Sequence, residues 1–272
     1  MKLSFFFLLL VFGLSAHSQT LTKIWSTSEG IKTPESVLFD IATNQIYVSN
    51  INGDPSKKDG NGFISVLNPD GKIKKLQWVT GLNAPKGQAI YNGNLYVADI
   101  DELVVINIKD ARIVQRYKVA NAKFLNDVTV SEDGTVYVSD SSDDKIYALA
   151  NNKLTLWLED KILESPNGLW AENGKLYIGT KKILQADVKT KKISPVVEDC
   201  GAIDGLEKMN DGNFIYSNWE GRIFITKGNQ STKLLDTVGK LNTADIDFVP
   251  SKNLVLVPTF FGNSIDAYVL KP

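Results

Sequence analysis

Five polar residues recur at a near-constant interval along this chain: Glu35, Lys86, Asn126, Asn167 and Asp204, separated by 51, 40, 41 and 37 residues. Brought together, Glu35, Asn126, Asn167 and Asp204 would offer two carboxylates and two carboxamides, the oxygen donors a hard divalent cation requires, with water completing about six to eight ligands. Ca²⁺ is the first expectation, Mg²⁺ and Mn²⁺ are alternatives, and Zn²⁺ comes last because no His or Cys ligand is at hand. Such an ion can polarise a carbonyl and activate water. Lys86 would hold an anionic substrate group or an oxyanion, or else sit in a rim salt bridge. A plainer reading stands beside this one. Asn, Asp and Gly are common where strands start, because their side chains satisfy free backbone groups.

The elements that must position these residues are copies of one unit. Six segments share a template of a small or Pro residue, a polar residue, an apolar stretch, a turn and an apolar strand. They begin at Thr33, Ala84, Phe124, Ser165, Ala202 and Asn242, and the sixth has Ala244 at the polar position, 40 residues after Asp204. Asn92-Gly93, Asp133-Gly134, Asn173-Gly174 and Asp211-Gly212 are hairpin signals flanked by apolar runs. A third strand follows each hairpin, as in Phe63–Leu67, and a more polar fourth, as in Ile73–Val79. This period and content predict an all-β fold, a six-bladed β-propeller of four-stranded blades. The last copy holds three strands, so the segment Leu21–Trp25 is expected to supply its fourth and close the ring, removing exposed edges.

In a propeller the starts of the innermost strands ring one mouth of the central channel, so positions 35, 86, 126, 167 and 204 should converge there. The neighbouring strand ends on the same face, giving a second polar ring of Asn50, Asp99, Asp140, Thr180, Asn218 and Thr259. Most of these read as strand terminators, with Asp140 retained as a candidate substrate-binding residue or alternative base. The loop after Asn50 is the longest insertion and reads as a mobile lid or rim, or equally as a plain surface loop. Trp219, Phe260 and Phe261 are expected near the same mouth.

At these positions the chain resembles the gluconolactonase/regucalcin (senescence marker protein) family. The residues that carry the likeness are Pro34-Glu35, Asn126-Asp127, Asn167-Gly168 and Asp204-Gly205. The resemblance implies a six-bladed propeller with one divalent cation in its channel and a lactone as the small-molecule substrate. It makes Glu35, Asn167 and Asp204 direct ligands, gives Asn126 to metal, metal-bound water or substrate, and makes Asp204 the candidate general base as well. Where sugar-lactone hydrolases of the family carry an Arg two residues before the third-blade Asn, this chain has Phe124. The related paraoxonases use a channel-mouth His, whereas the one His here is His17. A propeller that binds a ligand or protein without catalysis, and an ion that only ties blades together, remain the alternatives.

The bulk properties bound the rest. Thirty Lys and Arg against 31 Asp and Glu, scattered, give no basic face for nucleic acid. Lys2, the apolar run Phe5–Leu14 and small residues at 16 and 18 read as a signal peptide over residues 1–18, leaving one domain, 19–272, exported to a bacterial periplasm or the medium. No later segment is long and apolar enough to span a membrane. Cys200 is the sole cysteine, so no intrachain disulfide forms, and it reads as a buried structural thiol.

Overall fold

The structure, a computed structural model, describes residues 19–272; the expected signal peptide lies outside the described residues. Twenty-four strands form six four-stranded antiparallel sheets. In five of them the strands run in chain order from the channel outwards. The innermost strands are Pro34–Asp40, Pro85–Tyr91, Leu125–Val130, Leu169–Glu172 and Ile203–Lys208, with Asp247–Val249 in the sixth blade. These strands touch one another in succession, and the sixth meets the first to close the ring.

The sixth blade is completed from the other end of the chain. Thr20–Thr27 pairs antiparallel with Ser264–Lys271, outside Leu254–Thr259 and Asp247–Val249. The expected closure is therefore observed, and the outer edge of each blade belongs to a partly exposed strand five to ten residues long.

The core is divided among the blades rather than pooled. Each of six apolar clusters lies between two neighbouring sheets. Between the sixth and first blades, for example, Val37, Val48 and Leu67 pack on Leu256, Ile265 and Ala267. Middle strands are consequently buried on both faces, as in Gly62–Leu67. That is why these strands read as continuous apolar runs while the outer strands alternate.

The hairpin signals divide into two kinds. Asn92-Gly93 and Asn173-Gly174 each have two positive φ angles (47° and 73°, 53° and 68°), which gives the tight two-residue turn whose twist matches the strands. Asp133-Gly134 and Asp211-Gly212 instead sit in longer loops closed by Gly134 N–H to Ser131 O and Gly212 N–H to Met209 O.

Candidate functional site

The register of the innermost hairpin breaks at the template position itself. A β-bulge lies between Pro34 and Ser36, between Pro85 and Gln88, between Leu125 and Val128, and between Ile203 and Leu206. A bulge leaves residues unpaired and re-aims their side chains, so Glu35, Lys86, Asn126 and Asp204 are released from the alternation of the sheet. The freed backbone N–H must still be satisfied. In three blades a serine on the adjacent strand does this: Ser49, Ser139 and Ser217 hydroxyls accept from Ser36, Asp127 and Gly205 N–H, each at 2.9 Å. Glycine follows the template residue where the next blade presses closest. A Cβ on Gly87 would lie 2.3 Å from Asp127 Oδ1.

The expected ring assembles around this hub. Asn167 Nδ2 donates to Asp204 Oδ1 at 3.3 Å, and Asn126 Nδ2 donates to Ser141 Oγ at 3.1 Å. Each amide thus spends its nitrogen on a neighbour and keeps its oxygen free. Glu35 is buried and its Oε2 has no hydrogen-bond partner. Burial, then the nearby Asp204 charge, push the Glu35 carboxyl well above its usual range, with Lys86 opposing and Asp127 adding to the rise. Burial likewise lifts Asp204 to about 7 against the Asn167 hydrogen bond. Two buried carboxyls, one with an oxygen that has no partner, and two free amide oxygens match the donor chemistry of a hard cation. Among the described residues no group of three or more His, Cys, Asp or Glu side chains is placed to hold a metal, so any such ion would depend on the amides.

Lys86 is fully buried. Its ammonium donates to Pro55 O and Ala84 O, both at 3.0 Å, and stands 4.3 Å from the centre of the Phe124 ring. The aromatic face makes a favourable cation–π contact with it. Burial lowers the ammonium pKa to about 8, with Glu35 and Asp99 pulling it back up. Pro55 belongs to the long insertion, which is pinned across the rim by Lys58 to Asp101 at 2.5 Å and by Ile51 packing on Ala84, Ile100 and Phe260.

The second ring serves the backbone. Asp140 is fully buried, and its two oxygens accept N–H groups of Lys123 and Phe124, both at 2.9 Å. Asp99 does the same for Asn83 and Ala84. Asp140 thereby sets the position of Phe124 and has no oxygen left without a partner. Cys200 is buried, with burial raising its thiol pKa, as expected of a structural thiol.

Beside the ring an open cavity of ≈ 660 Å³ is lined by Phe124, Ser141, Asn167, Thr180, Asp204 and Trp219. Trp219 stacks edge-on to Phe260 at 4.5 Å, and Phe261, 70% exposed, extends the cluster.

Four further acids were not anticipated: Asp127, Glu207, Asp245 and Asp247 lie deeper along the same channel. Burial raises Asp127 and Asp247 to about 7 and Glu207 and Asp245 well above the usual range. Three of them bind the next blade: Asp127 accepts Leu169 N–H at 2.5 Å, Asp245 accepts the Ser36 hydroxyl at 2.6 Å, and Asp247 accepts Phe39 N–H at 2.7 Å. Two of them had a signal, an Asp one residue past the template position, in Asn126-Asp127 and Ala244-Asp245.

No family model matches the sequence, and neither does any curated protein. Solved structures do match. A streptogramin B lyase is similar over 93% of this chain and 98% of its own, with a TM-score of 0.68 and 15% identity. A protein provisionally described as a gluconolactonase matches over 93% and 92%, with a TM-score of 0.66 and 14% identity. The fold is the one these gluconolactonase-like and lyase propellers share. A catalytically inactive virginiamycin B lyase from Staphylococcus aureus, solved with quinupristin, also matches, over 93% of this chain and all of its own, with a TM-score of 0.65 and 14% identity.

Proposed function

We propose that this chain is an exported, divalent-cation-dependent hydrolase that opens small lactones at the channel mouth. The observation that carries the reading is the meeting of Glu35 and Asp204, from the first and fifth blades, as buried carboxyls with Glu35 Oε2 unpartnered. The ≈ 660 Å³ cavity beside them also reaches Asp204 and Asn167. Glu35, Asn126, Asn167 and Asp204 would hold the ion. When bound, a divalent cation supplies Lewis-acid polarisation of a carbonyl and a lowered pKa for water.

The chain's own residues do the rest. Asp204 accepts the proton of the attacking water. Asn126, fixed through Ser141, orients substrate at the mouth. Lys86 is the internal counter-charge: its field offsets Glu35 and Asp99, and the Pro55 carbonyl keeps it in place. Phe124 and Trp219 form aromatic walls of the cavity, so lactones with an apolar substituent suit it better than polyhydroxylated ones.

Hydrolysis is preferred to the lyase chemistry of the other structural neighbours. One of those lyases is catalytically inactive with an alanine in place of a histidine, and residues 19–272 of this chain contain no histidine. The second reading, a ligand-binding propeller with a structural ion, is favoured by the exposed Phe261 beside Trp219.

Metal analysis followed by a panel of sugar, alkyl and aryl lactones with Ca²⁺, Mg²⁺, Mn²⁺ and EDTA tests the assignment. Asp204→Ala should lose both calcium-induced thermal stabilisation and turnover. Wild-type stabilisation in that variant would remove the site, and tight metal binding without turnover of any lactone would leave the binding reading. N-terminal sequencing of protein recovered outside the cytoplasm should begin at Gln19 if export proceeds as proposed.

A further inference from the structure

The channel has a second chamber. Towards the face opposite the mouth, a cavity of ≈ 380 Å³ is walled by residues from all six blades. It opens beside Ile41, which is 75% exposed. None of the four candidate cation ligands lines it.

Two of the residues that line it carry a buried polar atom with no partner. Gln88 is 5% exposed, and its Nε2 donates to Tyr47 O at 3.1 Å. That bond fixes the amide and leaves Oε1 unpaired, and Trp170 Nε1 is unpaired as well. Buried polar groups are almost always satisfied, so two orphans among the lining residues point to a missing partner. The charge there is also unbalanced. Glu207 and Asp245 line the cavity with Asp127, and none has an ion-pair partner among the described residues. Asp245 Oδ2 takes the Ser36 hydroxyl, leaving Oδ1, whereas Asp127 is saturated by Val128 and Leu169 N–H. The nearby cations are engaged: Lys208 pairs with Glu172, and Lys252 lies 5.6 Å from the Phe39 ring centre.

The remaining wall is apolar, including Val37, Phe39, Ile90, Val128 and Leu169. The volume corresponds to on the order of ten waters at about 30 Å³ each, far more than a bare ion needs. The carboxylates are also not grouped to hold a metal.

We propose that this lower chamber binds a small organic cation: a primary amine with an apolar body, its ammonium donating to Glu207, Asp245 Oδ1 and Gln88 Oε1. The apolar body packs on the strand walls, and Trp170 Nε1–H meets an acceptor on the ligand. This site is separate from the mouth and does not depend on the lactonase reading.

The test uses the full mature chain with 2-phenylethylamine, its neutral counterpart 2-phenylethanol, and CaCl₂ and NaCl alone, read by calorimetry and tryptophan fluorescence. The amine is expected to bind one-to-one at or below about 1 mM, at least tenfold tighter than the alcohol. Glu207→Gln should weaken the amine at least tenfold while leaving any calcium-dependent turnover unchanged. Trp170→Phe should remove most of the fluorescence response while heat of binding persists, which keeps the test valid if Glu207→Gln fails to fold. Equal binding of alcohol and amine would reduce the site to an apolar hole. One-for-one displacement of the amine by Ca²⁺ or Na⁺ would make it an inorganic cation site. No saturable binding of the amine would mean that protons alone balance the carboxyls. Each of these three outcomes overturns the proposal.

Discussion

Asp247 offers a direct measure of what the acidic channel costs the fold. Its carboxylate accepts Phe39 N–H at 2.7 Å, so it ties the sixth blade to the first, yet burial raises its pKa from 3.8 to about 7. A carboxyl whose folded pKa lies above its unfolded value stabilises the fold fully below about pH 4. That contribution is lost as pH rises through about 7, because the folded state must then ionise a group it holds out of water. A displacement of about 3 pH units corresponds to roughly 4 kcal/mol. Asp247→Asn keeps an oxygen for Phe39 N–H and removes the charge. Its amide nitrogen faces Phe248 N–H, a pH-independent loss of about 1 kcal/mol. The variant should therefore be about 1 kcal/mol less stable than wild type at pH 4 and about 3 kcal/mol more stable at pH 8. Urea unfolding at both pH values, with EDTA present, measures the swing. A change in the difference below about 1 kcal/mol between the two pH values, or one of opposite sign, would refute the burial argument.

Other consequences are equally concrete. Ser139→Ala and Ser217→Ala each strand a bulge N–H now held at 2.9 Å. Each should cost about 1–3 kcal/mol in urea unfolding, nearly additively when combined; an unchanged midpoint in both would show that water replaces the hydroxyl. Gly87→Ala drives a Cβ to 2.3 Å from Asp127 Oδ1, with the Asp127 backbone at 2.6 Å. It should cost about 1–3 kcal/mol or more, seen as a fall in Tm. Removing residues 20–27 exposes the edge Ser264–Lys271, and light scattering should then report association through that edge.

Much of the fold was legible because a propeller repeats its physics. One blade cannot bury both faces, so every copy needs the same apolar runs and turns, and the period shows through weak identity between copies. The missing fourth strand of the last copy pointed to Leu21–Trp25, and the observed strand, Thr20–Thr27, contains that segment. The mouth ring was legible for a related reason: Glu35, Asn126, Asn167 and Asp204 occupy one template position, and symmetry turns equal phase into proximity.

What the repeat could not supply is direction and company. Strand alternation sends Asn126 and Asp127 to opposite faces, and only the bulge beside Ser139 brings both to the channel. Lys86 read equally well as an open cation; its company of Pro55 O, Ala84 O and the Phe124 ring depends on a loop 31 residues earlier crossing the rim. Asp140 read as a ring acid, and its backbone partners show it to be a clamp on the loop carrying Phe124. Glu207 and Asp247 sit singly on the strands Ile203–Lys208 and Asp247–Val249, and no local pattern marks either as facing the channel.

The sequence by itself determined the six-fold ring, its closure by the N-terminal strand and the identity of the residues at one mouth, because these follow from period and pattern. Tertiary structure alone decided which of those groups are free, which are spent on backbone, and that the channel holds a second acidic chamber. Burial and hydrogen-bond company arise from residues far apart in the chain, and no local pattern encodes them.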